Sequence, residues 1–151
     1  MARSRINSKS KDLISDNGSV LVSVIEGEQI HMDVTLNWLT NLSTYTMVAK
    51  VVEANSSTLD YTKDELPTQE QTGGVITTLT IIDSDPTDNN FKIVIPETLI
   101  DSWTTQPRPN KPSFGWIGLE VRDNGTGADQ QIWKPMRGLV EVLYSPSEAT
   151  V

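Results

Sequence analysis

Residues 29–36 read QIHMDVTL. Ile30, Met32, Val34 and Leu36 fall on one side, and Gln29, His31, Asp33 and Thr35 on the other. That is the period of two expected of a half-buried β-strand, not the 3.6 of a helix. The same reading extends in both directions. Upstream, VLVSVIEG (20–27) is a β-branched apolar run. Downstream, YTMVAKVVEA (45–54) puts Tyr45, Met47, Ala49 and Val51 on one face, and VITTLTII (75–82) alternates through Val75, Thr77, Leu79 and Ile81. FKIVI (91–95), WIGLEVR (116–122) and GLVEVLY (138–144) complete the set. Seven short strands without crossover helices predict an antiparallel sandwich and not a parallel sheet.

One segment reads as a helix. PETLIDSW (96–103) opens on Pro96 and Glu97, both suited to a first helical turn, and spaces Leu99, Ile100 and Trp103 to plug the end of a sandwich. Two long polar connections separate strands. Residues 55–74 form either a functional loop or a concealed edge strand. Residues 104–115, with Pro107, Pro109 and Pro112, should be extended and stiff. The stretch RDNGTGADQ (122–130) is the strongest local hairpin signal, and Pro135 and Gly138 predict a bulge or bend in its return strand.

A chain of 151 residues has room for one hydrophobic core, and 36% apolar against 21% charged residues places it with folded domains. There is no Cys, which removes disulfides and thiolate chemistry alike. No apolar run reaches bilayer length, and the basic start lacks the apolar core of a secretory signal, so a soluble protein that keeps its N-terminus is expected. The net charge of −8 is unevenly laid out. Arg3, Arg5, Lys9 and Lys11 occupy the first eleven residues, and every acidic residue follows them. The acidic body repels phosphate backbones and argues against nucleic acid as a partner. Such an arm cannot build a core of its own. It is expected to dock on an acidic surface of a neighbouring subunit, another copy included, so a homo-oligomer is anticipated.

The search for chemistry predicts no catalytic residue, no cofactor and no metal. The single His31 lies on the polar side of its strand, where a solvated imidazole is the ordinary case. DNGTGAD (123–129) lacks the Lys and the frame of a phosphate loop. Asp83, Asp85, Asp88, Asn89 and Asn90 offer oxygen ligands to Ca²⁺, but without the EF-hand spacing or its closing Glu, and Asp, Pro and Asn also build plain turns. Carboxylates placed for glycoside hydrolysis are the weakest reading. Four Trp are many beside two Phe and three Tyr. Trp116 alternates out of the Ile117, Leu119, Val121 face, and Trp133 sits beside Pro135. Both are expected contact residues, with Arg137 able to fork onto a carboxylate. Pro135, lacking a donor, places this segment at a sheet edge.

The order EGEQIHMDVTL, TYTMVAKVVEA, ITTLTIID, FKIVIPETLIDSW, FGWIGLEVRD and QQIWKPMRGLVEVLY resembles the small immunoglobulin-like module of phage tail and baseplate proteins, and is similar to the N-terminal domain of upper baseplate proteins. That module opens on a Gly with a polar or acidic pair, places a short helix before an aromatic–aliphatic–Gly strand, and ends on G-x-V-x-V. Here these stand at Gly27–Glu28, Leu99–Trp103, Trp116–Leu119 and Gly138–Val142, within about residues 24–144. The resemblance implies an all-β, immunoglobulin-like antiparallel β-sandwich of about seven strands with one short helix. It would span residues 19–145, between a basic arm (1–18) and a short tail (146–151). It also implies a non-enzymatic virion protein. The basic arm, and the absence of a receptor-binding or fibre domain after Tyr144, favour a docking or adaptor subunit of the tail, baseplate or fibre-attachment region. The alternatives are a capsid decoration protein and a carbohydrate-binding module that uses exposed Trp.

Overall fold

The computed structural model describes residues 4–6, 10–14, 18–54 and 72–146. Nine strands run in the order β1 (Ser4–Ile6), β2 (Ser10–Ile14), β3 (Gly18–Ile25), β4 (Ile30–Thr35), β5 (Thr46–Ala54), β6 (Thr72–Ile82), β7 (Asn90–Ile95), β8 (Ser113–Arg122) and β9 (Ile132–Leu143). The seven from β3 onward are those expected from the alternation. β1 and β2 lie in the basic arm, where too few apolar residues alternate to mark a strand.

All nine join in the spatial order β1-β3-β9-β8-β5-β6-β7-β4-β2. Two layers arise because β6 changes partner along its length. Its first part pairs antiparallel with β5, from Thr72 opposite Ala54 to Leu79 opposite Ala49. Thr80, Ile81 and Ile82 pair instead with Val94, Ile93 and Lys92 of β7. One strand therefore carries the first sheet (β1, β3, β9, β8, β5) into the second (β7, β4, β2). The result is an all-β, immunoglobulin-like sandwich closed on one side, nearly a barrel. Parallel pairs of β1 with β3, β3 with β9, and β2 with β4 make the sheet mixed, where only antiparallel pairing was expected.

Alternation determines what fills the space between the layers. Ile30, Met32 and Val34 of β4 are buried, and the residues between them are half-exposed. They meet Phe91, Ile93 and Ile95 of β7, Ala49 and Val51 of β5, Ile117, Leu119 and Val121 of β8, and Val140 and Val142 of β9 in one core. Each such Val, Leu, Ile, Met or Phe side chain, fully buried, stabilises the fold by about 1.5–3 kcal/mol before the entropy of ordering it. His31, on the polar side of β4, is half-exposed as expected.

Three local expectations need correction. Residues 96–103 form no helix. They form successive i→i+3 turns, with the amides of Leu99, Asp101 and Trp103 donating to the carbonyls of Pro96, Thr98 and Ile100. Eight residues are too few to repay helix nucleation without i→i−4 bonds, although Leu99, Ile100 and Trp103 do plug the end of the core. The proline-rich connection is not simply extended. Arg108 and Lys111 exchange both backbone bonds at 2.9 Å around Pro109 and Asn110. Asn110 sits at φ 68°, the left-handed position that a type II turn requires after its Pro.

Finally, β9 is an edge only at its start: among the described residues Ile132 and Trp133 pair with β8 alone, and from Met136 to Leu143 β3 pairs on the other side. Pro135 lies just before β3 begins and is buried. There the β8–β9 register slips between Leu119 opposite Met136 and Val121 opposite Trp133. The expected bulge is present, and it falls where β9 has β8 alone beside it among the described residues, so the missing donor of Pro135 interrupts no β3–β9 pair. The 55–71 connection lies outside the described residues.

Candidate interaction surface

The β4–β7 register ends with Thr35 opposite Asn90, and the β5–β8 register begins with Thr46 opposite Arg122. Among the described residues three connections therefore emerge at the same end of the sandwich: residues 36–45, 83–89 and 123–131. The first, LNWLTNLSTY, carries no charge and turns its leucines inward, with Leu36 and Leu42 buried and Leu39 packed on the core. It is tied to the second loop at several points. The amide of Leu36 donates to the carbonyl of Asn89 at 3.1 Å, and that of Leu42 donates to Pro86 at 2.8 Å. The Asn89 side-chain amide donates to the carbonyls of both Leu36 and Leu39 at 3.2 Å.

On its other flank the first loop meets β9. The ring centroids of Trp38 and Trp133 lie 5.1 Å apart at a 43° tilt, and Tyr45 stands 5.9 Å from Trp133 at 57°. Both pairs fall in the favourable range for tilted aromatic contacts. Trp133 is half-buried against the core, while Trp38 remains 38% exposed. Ile132, 47% exposed, adjoins Trp133 in the chain.

The carboxylates at this end are fixed by the turns they build. Asp85 accepts from the amide and hydroxyl of Thr87, and these bonds hold its carboxyl below the usual range. Asp88 accepts from the amide of Asn90 at 2.8 Å. Asp123 accepts from Gly125 at 2.9 Å and Gln131 at 3.1 Å, closing the β8–β9 hairpin around the 3₁₀ turn Gly127–Asp129. In each of the three it is Oδ1 that the turn holds. Burial raises the Asp83 carboxyl, against a backbone hydrogen bond from Asp85 and with the nearby charges of Asp88 and Asp85, and its Oδ1 is buried without a hydrogen-bond partner. Beside this loop a cavity of about 270 Å³ is lined by Asp33, Thr35, Asp85, Asp88, Asn90 and Lys92, among others. Lys92 is paired there with Asp33 across the β4–β7 ladder. Among the described residues no three His or acidic side chains converge as a metal site.

The residues expected to make contacts are not gathered in one place. Arg3 and Lys9 lie outside the described residues. Arg5 pairs in β1 opposite Leu21 and Lys11 in β2 opposite Met32, on strands that border opposite sheets of this same chain. Trp116 does point away from the core, but it packs over Leu21, Ala54, Phe114 and Leu139, a second apolar cluster on the outer face. Its indole N–H is buried there without an acceptor. Arg137, opposite Gly118 on that face, is exposed. Trp133 belongs to the loop end instead. Trp38 and Tyr45 were missed, because a contact between the first loop and β9 depends on the two sheets facing each other. The local signal was an uncharged stretch from Val34 to Ala49 with Leu36, Leu39 and Leu42 at a spacing of three.

No family model and no curated protein matches the chain. Among solved structures it is similar to the crystal structure of the cysteine protease inhibitor EhICP2 from Entamoeba histolytica, at 9% identity and a TM-score of 0.38, covering 90% of this chain and 95% of that one. It is also similar to the solution structure of amebosin, at 12% identity and a TM-score of 0.34, covering 91% and 100%.

Proposed function

We propose that this protein is a non-enzymatic docking subunit of a bacteriophage virion, in the tail, baseplate or fibre-attachment region. The observation that carries the docking role is the aromatic junction of Trp38, Tyr45 and Trp133. Its exposed ring, Trp38, is backed by Tyr45 and Trp133, both packed on the core, and stands on a loop already ordered by backbone bonds to its neighbour. A preordered aromatic surface loses little conformational freedom when a partner closes on it, which suits a permanent structural contact. The polar groups weighed for chemistry serve the fold: Asp85, Asp88 and Asp123 hold turns, and Asp33 holds Lys92. The virion setting is supported by the sequence resemblance to the phage module. Arg137 and Trp116 supply a further candidate contact on the outer face of the first sheet.

Imaging purified particles that carry an epitope-tagged copy tests this reading. Symmetric density at the tail or baseplate is expected. Density on the head would make the chain a decoration protein, and its absence from purified particles would overturn the proposal. A second reading has one specific observation in its favour: two tilted Trp rings beside a Tyr also suit stacking on a sugar ring. Saturable glycan binding by the isolated protein, lost in Trp38→Ala, would establish it.

A further inference from the structure

We infer that the loop end is a docking surface for an arginine-bearing segment of a partner protein, an inference that rests on the docking role above. The aromatic junction locates the surface, and charge determines what fits it. Residues 36–45, 83–90 and 123–131 contain Asp83, Asp85, Asp88, Asp123 and Asp129 and no Lys, Arg or His. The flanking cations Lys92 and Arg122 are already paired with Asp33 and Glu120, and the exposed Lys134 follows Trp133 in the chain.

An apolar partner alone would strip water from carboxylates and give them no counter-charge, which costs more than the aromatic contact returns. A nucleic acid is repelled. A cationic segment meets both features at once. Arginine fits better than lysine, because a weakly hydrated planar guanidinium can stack on an indole and another of the segment can fork onto a carboxylate. The carboxylates of Asp85, Asp88 and Asp123 are each held through Oδ1 by a backbone turn, so they are oriented before the partner arrives.

Calorimetric titration of the full chain with hexa-arginine and hexa-lysine peptides, at low ionic strength and again at about 0.3 M salt, tests this. Hexa-arginine should bind several-fold more tightly than hexa-lysine, and added salt should weaken both. The double variant Asp85→Asn, Asp88→Asn keeps the turn acceptors and should weaken binding about tenfold. Neutralising Glu97 and Asp101, exposed at the opposite end, changes the net charge equally and should leave binding within about twofold. Trp38→Ala should erase the preference for arginine, and Trp38→Phe should keep part of it. The inference is overturned by equal losses in the two charge variants, which would mean attraction to bulk charge. It is also overturned by an unchanged preference in Trp38→Ala, by no binding at low salt, or by glycan binding through Trp38 without peptide binding. Imaging that finds the chain in particles while peptide binding fails would reject this inference and leave the docking role standing.

Discussion

Trp38, on the loop that leaves the second sheet, rests against Trp133, on a strand of the first, with centroids 5.1 Å apart. The pair bolts the two layers together at the loop end, but the partners are unequally buried. Trp133→Ala removes a ring packed on the core and should destabilise the fold by about 2–3 kcal/mol in denaturant titration. Trp38→Ala removes a ring 38% exposed and should cost about 1 kcal/mol or less. Equal losses in both variants would mean that the pair acts as one core unit.

Gly115 offers a sharper test of the opposite end. A Cβ built there would lie 2.6 Å from the Trp103 ring and 2.7 Å from Val51. Both neighbours are buried, and Trp103 closes the core beneath the 96–103 turns. Gly115→Ala should therefore cost about 1–3 kcal/mol by overpacking. Adding Trp103→Phe should recover part of it, and additive losses in the double variant would show that the clash lies elsewhere.

Glu53 is 2% exposed, and its Oε1 accepts from the hydroxyl of Thr104 and the amide of Thr105, both at 2.8 Å. This carboxylate ties the start of the proline-rich connection to β5. Glu53→Ala leaves those donors unpaired, at a cost of about 1–3 kcal/mol. Glu53→Gln keeps the Oε1 acceptor and should lose less. Hydrogen exchange at the Thr105 amide provides a local readout, accelerated in the Ala variant and nearly unchanged in the Gln variant.

The Asp83 carboxyl sits above the usual range, chiefly through burial. The folded chain thus holds that proton to higher pH than the unfolded one. The resulting stabilisation is complete below the unfolded value and is lost as pH rises through the folded value. Asp83→Asn mimics the protonated state. Its melting temperature should equal or exceed that of the parent at neutral pH, with the gap closing below about pH 4. A variant less stable than the parent at neutral pH would contradict this account.

The seven main strands were legible because each alternates over enough residues for burial to enforce its register, as Ile30 to Val34 show. The bulge at Pro135 was legible from backbone chemistry. β1 and β2 were not, since short parallel edges depend on a neighbour already in place and leave no pattern of their own. The 96–103 segment has helical spacing at Leu99, Ile100 and Trp103, yet that spacing serves equally to plug a core from successive turns. Among the contact residues, Trp133 could be singled out from its own neighbourhood. Trp38 and Tyr45 acquire their role only through the facing of two sheets.

β3 and β9 run parallel over eight matched pairs, from Gly18 opposite Met136 to Ile25 opposite Leu143. Tension that draws the start of β3 away from the end of β9 therefore loads the whole ladder in shear. Its bonds must give together, whereas a hairpin pulled from its open end unzips one pair at a time. A chain pulled between Gly18 and Leu143 would resist along this direction far better than across it.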